Sequence, residues 1–121
     1  MKLKFGLLLI LFLLLQLTAV CDAARQALVI GNSEYGETPL RNPVNDANAM
    51  AVALQNLGFT VFKEINVTRQ AMEDAIRNFG QNLQPGDTAL FYFSGHGAQV
   101  DNVNYLIPIG ARMETEREIK Y

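Results

Sequence analysis

Three short apolar runs, separated by two segments with helical spacing, constrain this chain more than any other feature. The runs are "QALVIGN" (26–32), "FTVFKEI" (59–65) and "TALFYF" (88–93). The first is continuous rather than alternating, which marks a strand buried on both faces, as in a parallel sheet. Between the first two lies "NPVNDANAMAVALQNLG", with Asn42 placed to cap a helix and Pro43 at its first position. Val44, Ala47, Met50, Ala51, Leu54 and Leu57 share one face, and Gly58 suits a left-handed stop. A second helix is predicted after Thr68 as its cap, with Met72, Ala75, Ile76, Phe79 and Leu83 as its apolar stripe. "QPGD" then makes a turn into the third run. Strand, helix, strand, helix, strand predicts an α/β fold: parallel strands joined by right-handed crossovers.

At 121 residues there is room for one domain. The amino terminus stands apart from it. "MKLKFGLLLILFLLLQLTAVCDA" has Lys2 and Lys4, an apolar run from Phe5 to Leu15, and then small residues. That layout predicts a secretory signal peptide over residues 1–23, an exported (periplasmic or secreted) product, and a domain spanning 24–121. The apolar run is short for a bilayer span, so membrane contact is expected only through this segment. Cys21, the single cysteine, would leave with the signal, and Val20 before it is a poor lipidation context. The net charge is −2 and no basic block is interleaved with aromatics, so nucleic acid is not an expected partner.

His96, the only histidine, sits in "FYFSGHGAQV" between two glycines, just past the third run. Sites in open α/β sheets gather at the carboxyl ends of strands, and this setting suits a general base near neutral pH. A buried structural histidine is the alternative. One histidine alone makes no metal site, and no metal or cofactor is expected. "GNSEYG" lacks the spacing of a phosphate-binding loop and is taken as a structural turn. Ser94 has no nucleophile elbow around it. Beyond His96, "AQVDNVNYLIP" predicts a small hairpin turning at Asp101-Asn102. In "ARMETEREIKY", Glu116 and Lys120 are spaced as on a helix face. The sequon Asn66-Val67-Thr68 is better explained by Thr68 as a cap.

"ALVIGNSEYGETPLRNPVNDANAMAVALQNLGFTV" and "TALFYFSGHGAQVDNVNYLIP" resemble the first half of a caspase-like cysteine peptidase of the metacaspase kind. The resemblance covers about Arg25 to Ile109. "LRNPVNDA" and "FYFSGHG" are its most specific motifs. It implies the caspase-haemoglobinase α/β sandwich, and a histidine after the third strand paired with a cysteine ending the fourth. It assigns catalysis to His96, and to Gly97 through its backbone N–H at the oxyanion. It assigns an acidic S1 pocket to Asp46 and Ser94, selecting Arg or Lys in a peptide or protein substrate.

One departure is large. The caspase cysteine follows its histidine by about 50 residues, yet no cysteine follows His96 in this sequence. The expectation is therefore an amino-terminal portion of the catalytic domain, truncated after the third core strand and inactive by itself. Its third strand would be an exposed edge open to self-association. The alternatives are a non-catalytic caspase-fold module that binds peptide or protein and, more remotely, a small nucleotide-binding α/β domain.

Overall fold

The computed structural model describes residues 23–112. The expected signal segment and the Glu116–Lys120 pair lie outside them, apart from Ala23. The elements, in chain order, are β1 (Arg25–Gly31), α1 (Pro43–Asn56), β2 (Thr60–Ile65), α2 (Arg69–Asn82), β3 (Thr88–Ser94), β4 (Gly97–Val100) and β5 (Val103–Leu106). β1 is the central strand of a parallel sheet in the order β2-β1-β3, with Gly31 opposite Ile65 on one side and Ser94 on the other. Among the described residues, β3 is an edge. β4 and β5 form a separate antiparallel hairpin. Its turn residues Asp101 and Asn102 both have positive φ, 51° and 63°, as a two-residue type I′ turn requires.

Alternate residues of β1 build the two halves of the core, because successive strand side chains point to opposite faces. Ala27 and Val29 pack with Ala47 and Leu54 of α1. Leu28 and Ile30 pack with Val67 and with Met72 and Phe79 of α2. The continuous apolar run of β1 is thus a strand sandwiched between two helix layers. Among the described residues no helix is long and apolar enough to cross a membrane.

Three local expectations need correction. Asn42 occupies the N-cap of α1 but makes no side-chain cap bond. Ser33, eleven residues before Val44, supplies the acceptor instead, its Oγ taking the Val44 N–H at 3.2 Å. Leu57 falls past the end of α1 and is 62% exposed. Ile76 is 44% exposed, because α2 turns mainly Met72 and Phe79 into the core. Thr68 does cap α2, accepting from Ala71 N–H at 3.4 Å. Gly31 is required where α1 approaches β1. A Cβ there would lie 2.6 Å from Ala47 Cβ and 2.7 Å from the Pro43 carbonyl oxygen, closer than any substituent tolerates.

Candidate active site

The carboxyl ends of β1 and β3 lie side by side, and the residues leaving them form the candidate site. Asn32, the first residue after β1, is fully buried. A buried amide must be satisfied, and Asn32 achieves this by tying three segments together. Its Oδ1 accepts from Val67 N–H at 2.9 Å, and its Nδ2 donates to the carbonyls of Val67 and Ile107 at 3.5 and 3.4 Å. Its own N–H donates to the Ser94 carbonyl at 2.9 Å. Asn66, at φ 53°, accepts the N–H groups of Ser33 and Glu34, which fixes the start of the loop between β1 and α1.

That loop surrounds His96. The imidazole Nε2 lies 2.9 Å from the Thr38 carbonyl oxygen. A carbonyl only accepts, so Nε2 carries the proton in this contact and Nδ1 keeps the ring's lone pair. The Tyr35 ring meets the imidazole edge-on, centroids 4.4 Å apart at 61°. The Tyr35 hydroxyl accepts the His96 N–H at 3.0 Å and donates to the Ile107 carbonyl at 2.8 Å. Burial pushes the phenol pKa up, with the His96 N–H and the Asn32 amide pulling partly the other way, so the hydroxyl keeps its proton in neutral solution. Gly95 has no room for a side chain: a Cβ would collide with the Tyr35 hydroxyl and lie 2.7 Å from the Phe93 ring.

The other expected site residues fall into two places. Gly97 is exposed and opens β4 beside His96. Asp46, in the first turn of α1, and Ser94, ending β3, come together, with the Ser94 hydroxyl donating to Asp46 Oδ2 at 3.4 Å. Ser94 Oγ is therefore turned to the carboxylate rather than to the imidazole, which disfavours a serine nucleophile. The 48 residues between Asp46 and Ser94 are bridged by the parallel β1–β3 pairing, which brings the end of β3 level with Gly31 under α1. A cavity of about 150 Å³ lies elsewhere, lined by Met72, Ile76, Tyr105 and Ile107 among others.

Asn32, Tyr35 and Thr38 were not singled out in the sequence. Thr38 acts through its backbone, which no side-chain pattern can reveal. Asn32 had one visible signal, a polar amide directly following a fully buried strand.

Sequence comparison agrees with this geometry. The caspase domain family matches residues 24–119. The chain belongs to that family. The caspase domain is 33% identical over 86 residues to human mucosa-associated lymphoid tissue lymphoma translocation protein 1, covering 70% of this chain and 10% of that protein. It is 30% identical over 94 residues to metacaspase-1 of Candida albicans, covering 68% of this chain and 21% of the relative. Metacaspase-1 of Lodderomyces elongisporus is 29% identical over 96 residues, with 69% and 21% covered. The chain thus spans about a tenth to a fifth of the length of these relatives.

Proposed function

We propose that this caspase domain supplies the histidine half of a cysteine endopeptidase that cleaves after Arg or Lys. The contact of His96 Nε2 with the Thr38 carbonyl carries the proposal. It leaves Nδ1 as the basic nitrogen, at the end of the sheet where a neighbouring strand would deliver a thiol. In the reaction, Nδ1 takes the thiol proton and the thiolate attacks the peptide carbonyl carbon. The oxyanion forms near the Gly97 backbone N–H. The imidazolium then returns its proton, from Nδ1, to the leaving amine as the C–N bond breaks and an acyl-enzyme forms. Water, deprotonated by the same nitrogen, attacks the acyl carbon; the C–S bond breaks, the thiolate recovers the proton from Nδ1, and the acid is released. The positive imidazolium is stabilised by the Thr38 carbonyl dipole. The nucleophile comes from sequence outside the described residues.

Specificity follows from the Asp46–Ser94 pair. An exposed carboxylate with a hydroxyl beside it offers charge-assisted acceptors to a guanidinium or ammonium group. Residues 1–23 are assigned to export. The exported product should begin between Asp22 and Arg25 by mass, and a full-length cytosolic chain would refute the assignment.

The test joins this chain to a downstream segment carrying a fourth strand that ends in cysteine. The joined protein should hydrolyse Arg and Lys substrates in preference to matched Asp substrates, and His96→Ala should abolish turnover. Asp46→Asn should weaken Arg and Lys substrates selectively. An equal loss on all three substrates, or a starting preference for Asp, would remove the acidic-pocket assignment. A second reading, a peptide-binding module, draws on the same exposed Asp46–Ser94 pair, which can hold a basic side chain without any thiol. Binding of Arg peptides by a joined protein that never cleaves them would favour it.

A further inference from the structure

We infer that Tyr35 is a positioning residue for His96: its hydroxyl and ring together fix the imidazole against the Thr38 carbonyl. The inference rests on the assignment of His96 as the proton-transfer group. His96 lies between Gly95 and Gly97, and glycine neighbours leave the backbone free to rotate. An imidazole on such a segment needs external restraint to hold one orientation.

Tyr35 provides it in three ways. The His96 N–H donates to the Tyr35 hydroxyl, the hydroxyl donates to the Ile107 carbonyl, and the Ile107 N–H donates back to the His96 carbonyl at 3.0 Å. These bonds form a closed ring that passes through a single phenol oxygen and uses both backbone polar groups of His96. Only a group that accepts and donates at once can occupy that position. The Tyr35 ring also abuts the imidazole edge. Finally, the Tyr35 carbonyl accepts the Thr38 N–H at 2.8 Å. This closes the short turn that presents the Thr38 carbonyl to Nε2. Backbone, ring and Nε2 acceptor are thus all set by one side chain and its turn. The collision that a Cβ at Gly95 would make with the Tyr35 hydroxyl shows that the two positions are matched. Tyr35 is 4% exposed but belongs to neither apolar cluster flanking the sheet, so its burial serves this junction.

The test exploits the single histidine. In the full 121-residue chain labelled at histidine, NMR should show one imidazole, because the sequence has one histidine. At neutral pH its Nε2-bound proton should be visible, protected by the Thr38 carbonyl. Tyr35→Phe keeps the ring but breaks two of the three bonds. The Nε2 proton signal should vanish into solvent exchange, and exchange of the His96 amide should accelerate about tenfold or more, as loss of one hydrogen bond allows. Tyr92→Phe, in the cluster under α1, should change neither. If Tyr35→Phe retains both signals, the inference is wrong.

Should Tyr35→Phe fail to fold, the unmodified chain gives a second measurement. The imidazole C–H shifts should move as the Tyr35 phenol ionises at alkaline pH. Flat shifts through the phenol titration would equally overturn the inference. In the chain joined to a cysteine-bearing segment, Tyr35→Phe should lower kcat about 10²-fold with KM unchanged, the scale expected for a misplaced reacting group. A rise in KM alone would contradict positioning. A joined protein with no peptidase activity would count against the peptidase assignment while leaving the NMR result to stand.

Discussion

Replacing Asn32 with alanine would strip the buried Val67 N–H of its acceptor and free the carbonyl of Ile107 from one donor. An orphaned buried donor costs about 1–3 kcal/mol, so Asn32→Ala should lower the denaturant midpoint by a corresponding amount. Asn32→Asp keeps an acceptor for the Val67 N–H but sets a carboxylate against two carbonyls, so it should not restore stability. An Asn32→Ala variant as stable as the parent would show that the amide is not the tie described above. The same residue links the site to the core. It touches the strand ends, the start of α2 through Val67, and the carbonyl that also receives the Tyr35 hydroxyl. The geometry around His96 is therefore built on the hydrogen bonds of Asn32 and Tyr35. The motifs that carry His96, Gly97, Asp46 and Ser94 were visible in the sequence through the family resemblance, and their roles are proposals. Tyr35 and Thr38 were not, because a phenol in a loop and a backbone carbonyl acquire meaning only when the loop closes over the imidazole.

At the level of elements, β1 enters the sheet through a tie at Asp87. Its carboxylate accepts the N–H groups of Ala24 and Gln84, at 2.8 and 3.0 Å, and the side chain of Gln26 at 3.0 Å. The Gln84 N–H, then the Ala24 N–H, hold the carboxyl below the usual carboxylate range, with burial opposing and Gln26 adding a smaller pull. A carboxyl whose pKa is depressed by folding contributes stability that is fully present above its unfolded value, 3.8. That contribution is lost as pH falls through the folded value. Unfolding midpoints of the parent and of Asp87→Asn should therefore differ at pH 6 and begin to converge only as pH falls below 3.8. A constant difference across that range would contradict the tie. The elements themselves were legible where one period dominated: the continuous run of β1, the helical stripes, and the Asp101-Asn102 turn. The ends were less so. Leu57 fits the helical period but lies past the last turn of α1, and the cap came from Ser33 on another segment, which local spacing cannot reveal.

On the scale of the whole molecule, β1 is paired on both sides, whereas β3 among the described residues is paired only with β1. Phe91 on that strand is 45% exposed, and an apolar unpaired edge is a template for strand addition. The 121-residue chain alone should sediment as concentration-dependent oligomers, and Phe91→Lys should shift it toward monomer. A monodisperse, cooperatively melting parent would rule this out. Under the proposed function, a cysteine-bearing strand paired with that edge would set a thiol beside Nδ1 of His96. The pH dependence of alkylation of that cysteine, in the chain joined to such a strand, tests this most directly. With His96 present the thiol should react with iodoacetamide well below the free cysteine pKa of about 8.5, since an adjacent imidazolium favours the thiolate. With His96→Ala the midpoint should return to about 8.5. Coincident midpoints in the two proteins would contradict the pairing of His96 with a cysteine.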